Sequence, residues 1–161
     1  MVRLGEELRR RHGLKGRATP ADRLHLSLNF VGKFRGPPPR QVIEKATTLA
    51  DKLTMPAFTV SLNHVESWKG EPHPLVLLGD EGVMGAEGLY AAIHKALAVG
   101  TMAPRREPQI WPHVTLLRDS GQAPKTFVEP IAWRAREFVL LGCPSGEGRQ
   151  AVLGRWPLAG A

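Results

Sequence analysis

Strict alternation of apolar and polar residues marks the segment from Arg23 to Val31. Its apolar positions are Leu24, Leu26, Leu28 and Phe30, and the polar positions between them are His25, Ser27 and Asn29. Residues two apart on a β-strand point to the same face. The pattern therefore predicts a half-buried strand, with the leucines and Phe30 toward the core and His25 and Ser27 on the opposite face.

Helical periodicity marks three other segments. Leu4 and Leu8 share one face of a short first helix, which Gly13 ends. A breaker at 36–39 precedes a second helix, which opens at or beside Pro39 and runs to about Leu53. Its apolar stripe is Val42, Ala46, Leu49 and Leu53. The third helix covers 85–99, with Leu89, Ile93, Ala96 and Leu97 at helical spacing.

The remaining patterned segments are predicted strands. They cover residues 57–65, 74–78, 111–117, 137–141 and 150–156, and the last two flank a Gly- and Pro-containing turn, which predicts a hairpin. Alternation and hairpins favour antiparallel sheet over parallel βαβ units. The chain of 161 residues is predicted to fold as one α+β domain over 1–161.

Charge and composition narrow the class of partner. The net charge of +7, from 22 Lys and Arg against 15 Asp and Glu, favours phosphate-rich partners. No apolar stretch approaches the roughly 18 residues of a membrane helix, and the start has no signal-like apolar core. A soluble cytoplasmic protein is expected. The single Cys143 cannot form an internal disulfide.

One short pattern occurs twice. Its copies are Leu24-His25-Leu26-Ser27-Leu28 and Pro112-His113-Val114-Thr115-Leu116. Strand alternation places each histidine on the same face as the hydroxyl two residues later. One copy alone would indicate little, because a histidine on a strand usually has a structural role. Two copies predict two imidazoles and two hydroxyls that converge if the strands come together.

This set of side chains suits the opening of a cyclic phosphodiester by water. The reaction needs a base for the water and an acid for the departing ribose oxygen. Histidine can be neutral in one copy and charged in the other near pH 7. The two hydroxyls, of Ser27 and Thr115, can hold the non-bridging phosphate oxygens.

The residues around both motifs resemble the 2H phosphoesterase superfamily, and within it the LigT-like RNA 2′,3′-cyclic phosphodiesterases, also called 2′-5′ RNA ligases. The matching segments are 23–32 (RLHLSLNFVG), 111–119 (WPHVTLLRD), 137–141 (EFVLL) and 153–158 (LGRWPL). The resemblance implies two pseudo-symmetric lobes of antiparallel sheet plus helices around a central cleft, with one motif in each lobe.

The resemblance also implies an activity. It is hydrolysis of a 2′,3′-cyclic phosphate, at RNA ends or on nucleotides, to a 2′-phosphate without metal or cofactor. In that scheme His25 protonates the leaving O3′ and His113 activates water, and reversal joins RNA ends through a 2′-5′ bond. Ser27 and Thr115 match the phosphate-binding hydroxyls, with Ser27 where Thr is usual.

Three further residues are weighed for the site. In close relatives the arginine at the position of Arg118 helps to hold phosphate, but alternation puts it on the face opposite Thr115. A surface arginine paired with Asp119 is the alternative. Trp111 and Phe30 could stack on a base, although core packing is the preferred expectation for Phe30. No histidine pair has the spacing of a zinc site.

The chain departs from the family at its start, where relatives usually have an apolar strand before the first helix. Absence of that strand would leave a sheet edge or an apolar face uncovered. We therefore expect lower stability, or pairing with another chain at that edge.

Two alternatives to the RNA activity stay open. One is a phosphodiesterase for another small cyclic phosphate, and the other is a nucleotide-binding module of the same fold without turnover. The oligomeric state is left open.

Overall fold

The computed structural model describes residues 1–102, 111–142 and 150–160. Three helices lie within them: α1 (Val2–Arg11), α2 (Arg40–Ala50) and α3 (Met84–Val99). Seven strands accompany them: β1 (Leu26–Ser27), β2 (Phe58–Ser67), β3 (His73–Leu78), β4 (His113–Asp119), β5 (Thr126–Ala135), β6 (Glu137–Gly142) and β7 (Ala151–Pro157). The α+β class with antiparallel sheet is confirmed. Cys143 lies outside the described residues, in which no helix is long and apolar enough to cross a membrane.

The chain forms two compact units. Unit 1 comprises residues 1–27, 60–83 and 111–133, and unit 2 comprises residues 28–59, 84–110 and 134–161. Each unit therefore combines segments that are distant in the sequence.

Unit 1 is built on a five-stranded sheet with the order β1-β4-β3-β2-β5. One face of this sheet packs against α1, where Leu8 is fully buried and Gly5 lies close to Leu116. The central strand β3 is apolar and buried from Pro74 to Leu78. Gly13 ends α1 in a left-handed conformation (φ 64°), which glycine adopts without steric cost.

The first predicted strand is much shorter than expected. A 3₁₀ turn at Ala21–Arg23 precedes it, and only Leu26 and Ser27 pair with the sheet. Because β1 is an edge strand, it has a partner on one side only. The expectation of core packing for Phe30 is wrong: this residue follows the end of β1, belongs to unit 2 and is 67% exposed.

Strand β5 was not predicted from the sequence. It contains Pro130, and a proline normally argues against a strand because it cannot donate to the ladder. The structure places β5 at the edge of the sheet beyond β2, where a missing backbone N–H is tolerated.

Unit 2 contains α2, α3 and the predicted hairpin of β6 and β7. The helices pack on one another, and α2 also contacts β7. Phe138 stacks on Trp156 with ring centroids 5.3 Å apart, and the Trp156 indole N–H donates to Asp51 at 2.7 Å.

The buried carboxylate of Asp119 joins the end of β4 to the loop after α1. It accepts backbone N–H bonds from Lys15 (2.5 Å), Gly16 and Gly121 (2.7 Å). These bonds, with that of Gly121 first, hold the pKa of Asp119 below its ordinary value. Gly16 is required here, because a β-carbon would overlap the carbonyl oxygen of Arg118.

Replacing Asp119 with asparagine is expected to lower the melting temperature by several degrees at pH 7. An amide oxygen accepts fewer of the three N–H bonds and carries no charge. Folding lowers the pKa of Asp119 below its value of 3.8 in the unfolded chain. The charged carboxylate therefore stabilises the fold fully at pH values above 3.8, and this stabilisation is lost as the pH falls through the pKa of the folded state. Thermal unfolding from pH 7 to pH 3 should show the two proteins converging in acid. The exposed Asp80→Asn is the control, and a constant difference at all pH values would contradict the prediction.

Candidate active site

Both histidine motifs lie side by side in the sheet of unit 1. Leu26 pairs with Val114 and Ser27 with His113 in the antiparallel ladder of β1 and β4. Partners directly opposite each other project from the same face. Continuing this register by one residue sets His25 opposite Thr115, so each histidine faces the hydroxyl of the other motif. The implied arrangement of one motif in each lobe is therefore wrong, because β1 and β4 are neighbours within unit 1.

The two imidazole rings are oriented by equivalent hydrogen bonds. In each, Nδ1 lies within hydrogen-bond distance of the carbonyl oxygen two residues earlier: 2.9 Å from His25 to Arg23 and 2.7 Å from His113 to Trp111. A carbonyl oxygen only accepts, so Nδ1–H donates in both rings. On His113, a proton gained or lost is therefore the one on Nε2.

The surroundings of the two rings differ. His25 is exposed, whereas His113 is partly buried. Burial lowers the pKa of His113 below 6.5, and the charges of His25 and Arg118 act in the same direction. The hydrogen bond to the Trp111 carbonyl opposes this change. His113 is therefore neutral, and able to accept a proton, at pH values near 7.

Arg118 lies on the same face as the histidines, contrary to the simple alternation. Thr115 pairs with Val76 of β3, but the pairing then shifts, so that Arg118 pairs with Pro74. The shift is a β-bulge that leaves Leu116 as an extra residue in β4. Since Val76 and Pro74 share a face, so do their partners Thr115 and Arg118. The burial of the side chains agrees with a bulge at Leu116, because Leu116 and Leu117 are both buried and Arg118 is exposed.

Trp68 is a site residue that sequence reasoning missed. The turn between β2 and β3 presents its indole to His113, with ring centroids 4.5 Å apart and planes inclined by 59°. No local pattern signals this contact, because the two residues are 45 positions apart in the sequence and meet through the pairing of β2, β3 and β4.

The other candidates contribute less to this group. The side chain of Trp111 is 57% exposed at the entrance to β4, and its backbone carbonyl orients His113. Phe30 lies in unit 2, outside the group that unit 1 assembles. Among the described residues, no three His, Cys, Asp or Glu side chains are grouped so that they could hold a metal ion.

One sheet face thus carries a neutral imidazole, an exposed second imidazole, two hydroxyls and a guanidinium. Two histidines on one face can take a proton from a nucleophile and give one to a leaving group. The hydroxyls and guanidinium are donors suited to an anionic phosphate.

Known proteins resemble this chain in sequence and in fold, although no family model matches. An RNA 2′,3′-cyclic phosphodiesterase of Escherichia coli (strain K12) is 29% identical over 148 residues, which are 89% of this chain and 80% of that protein. A crystal structure of E. coli LigT complexed with 3′-AMP has a TM-score of 0.74 and 25% identity, covering 99% of this chain and 93% of that one. A structure from Thermus thermophilus has a TM-score of 0.69 at 23% identity, covering 98% and 88%. The chain is thus similar in sequence to an RNA 2′,3′-cyclic phosphodiesterase and in fold to LigT, and this likeness agrees with its paired histidine motifs.

Proposed function

We propose that this protein hydrolyses 2′,3′-cyclic phosphates at RNA ends or on nucleotides to 2′-phosphates. One observation carries the proposal: Ser27, His113 and Thr115 share one face of neighbouring strands, the register extended by one residue adds His25, and both imidazoles are oriented through Nδ1. The sequence relative from E. coli is named for this activity. The net charge of +7 favours a phosphate-bearing substrate.

His113 acts as the general base. Its lowered pKa keeps Nε2 unprotonated near pH 7, so this atom can take a proton from water as the water oxygen bonds to phosphorus. His25 acts as the general acid, and its Nε2–H protonates O3′ as the bond between phosphorus and O3′ breaks. The phosphate remains on O2′. With the 5′-hydroxyl of a second RNA in place of water, the same pair joins RNA ends through a 2′-5′ bond: the hydroxyl oxygen bonds to phosphorus, His113 takes its proton, and the bond to O3′ breaks as His25 protonates O3′.

Ser27 and Thr115 donate to the non-bridging phosphate oxygens. Each hydroxyl lies on the face that carries the histidines, beside the place where the phosphorus must sit between acid and base. Such donors keep the phosphorus in line with the attacking water and stabilise the charge that develops on the oxygens.

The decisive assay uses nucleoside 2′,3′-cyclic phosphates and a short RNA with a 2′,3′-cyclic phosphate end. We expect hydrolysis of both, with the 2′-phosphate identified by chromatography against 2′- and 3′-phosphate standards. A 3′-phosphate product would contradict the role of O3′ as the leaving atom. If cyclic phosphates bind but none is turned over, the result would contradict the proposed enzymatic activity.

Arg118 is proposed to bind phosphate, supported by its place on the site face after the bulge. Replacement with methionine is expected to lower kcat/KM by about 10- to 100-fold, because a charge-assisted hydrogen bond is lost. Arg118→Lys should retain part of the activity, since it keeps the charge without the planar fork. The control is Arg10→Met, at an exposed arginine of α1. Steady-state kinetics with a cyclic nucleotide provides the measurement. A change in kcat/KM below twofold for Arg118→Met would show that Arg118 is a surface residue without a role in phosphate binding.

A further inference from the structure

We propose that Trp68 is a positioning residue for His113, and that Glu66 fixes the indole against the imidazole. The role rests on the proposed function, because it assumes that His113 is the base. A positioning role explains why the side chain of this tryptophan, in the turn after β2, contacts His113 instead of packing in the core.

The tryptophan is held at three points. Its backbone N–H donates to the Pro74 carbonyl at 2.9 Å, and its carbonyl accepts from Nδ1 of His73 at 3.2 Å. The indole N–H donates to a carboxylate oxygen of Glu66 at 2.9 Å. Main chain and ring are therefore both fixed, which leaves the indole little freedom to move away from His113.

Further contacts hold the histidine that binds Trp68. Nδ1 of His73 donates to the Trp68 carbonyl, and the side-chain amide nitrogen of Gln122 lies 3.0 Å from Nε2 and 3.3 Å from Nδ1 of the same ring. The adjacent Ala123 N–H donates to the Ser67 hydroxyl at 2.9 Å. The turn before β3 is thereby tied to the segment that follows β4, the strand that carries His113.

The indole affects His113 in two ways. It limits rotation of the imidazole, whose other restraint is the bond from Nδ1 to the Trp111 carbonyl. It also excludes water from one side of the ring, and burial is the largest cause of the lowered pKa. A base held in place and kept neutral reacts faster, since small misplacements of a catalytic group cost large factors in rate.

Charged and titratable groups also face His113, and His64 of β2 stands in the same row of the sheet, beyond Leu78 of β3. His25 faces it from the segment entering β1, Arg118 from β4 itself, and Glu66 from β2 through the indole. The neighbouring position of β3 is Leu78, which is apolar.

The test compares Trp68→Leu, Trp68→Phe and Glu66→Leu, with Glu66→Gln as the variant that keeps a hydrogen-bond acceptor. The matched control is Trp156→Phe, which loses an indole N–H bonded to a carboxylate in unit 2. The first readout is the titration of His113 by NMR without substrate. We expect its pKa to rise toward 6.5 in Trp68→Leu, to rise less in Trp68→Phe and Glu66→Leu, and to stay unchanged in Glu66→Gln and the control.

The second readout is the pH dependence of turnover. Trp68→Leu should lower kcat about tenfold with little change in KM, and move the acid limb of the pH profile to higher pH. Unchanged pKa and kcat in folded Trp68→Leu would overturn the proposal, as would a raised KM at constant kcat, which indicates substrate stacking instead. If Trp68→Leu does not fold, the comparison of Glu66→Leu with Glu66→Gln tests the proposal: equal His113 pKa values and equal kcat values in these two variants would overturn it. If the wild type has no turnover, the proposed function fails and the titration still tests the positioning role.

Discussion

Replacing His113 with alanine is expected to lower kcat/KM for a nucleoside 2′,3′-cyclic phosphate by about 10²- to 10⁴-fold, the contribution of a general base. His25→Ala is expected to have a loss of the same order, because the acid acts in the same step. The fold should persist in both, since neither side chain is part of the buried core. Circular dichroism and melting temperature check this, and chelators are expected to leave wild-type turnover unchanged.

The pH dependence of turnover reports on the protonation of His113. Because the pKa of His113 is lowered below 6.5, the wild-type protein should keep its base unprotonated, and its activity high, until the pH falls through that lowered value. His94→Ala, at a histidine of α3 in unit 2 that stacks on Tyr90, is the control. Retained turnover in folded His25→Ala or His113→Ala would disprove the two-histidine mechanism.

Removing the Thr115 hydroxyl is expected to lower kcat by about 10²-fold, the usual effect of losing one donor to a developing oxyanion. Thr115→Val is the informative change, because it keeps the size and branching of the side chain and deletes only the hydrogen-bonding group. Thr115→Ser, which restores the hydroxyl, should return kcat to near the wild-type value. Ser27→Thr should likewise be tolerated, since it adds a methyl group and keeps the donor.

Single-turnover kinetics can place the loss in the chemical step. With enzyme in excess over substrate and its concentration varied to saturation, Thr115→Val should show a slower chemical rate and a nearly unchanged binding constant. Equal rates for the valine and serine variants would show that the hydroxyl does not contact the phosphate oxygens.

The composition of the site face was partly predictable from the sequence. Alternation in both motifs paired His25 with Ser27 and His113 with Thr115, and the structure keeps each pair on one face. Alternation failed at Arg118, because a bulge depends on pairing with β3 and leaves no mark in the local pattern.

Other features depended on distant partners in the same way. Trp68 contacts His113 only because β2, β3 and β4 pair in the sheet. Two of the three backbone N–H groups that bind the Asp119 carboxylate lie more than 100 positions earlier in the sequence, in the loop after α1. Strand β5 was missed because Pro130 is compatible with an edge strand alone, and the sequence does not reveal which strands form edges.

The extra residue in β4 also decides whether Arg118 or Asp119 stands on the face that carries the histidines. With the present sequence and uninterrupted alternation, Asp119 would stand on the histidine face and Arg118 on the α1 face. A carboxylate there would repel the anionic substrate and favour protonation of both imidazoles. The bulge reverses the two residues, so that the guanidinium stands on the histidine face while the carboxylate anchors the main chain on the other side. One inserted leucine thus puts a guanidinium, instead of a second carboxylate beside that of Glu66, on the face that carries the histidines.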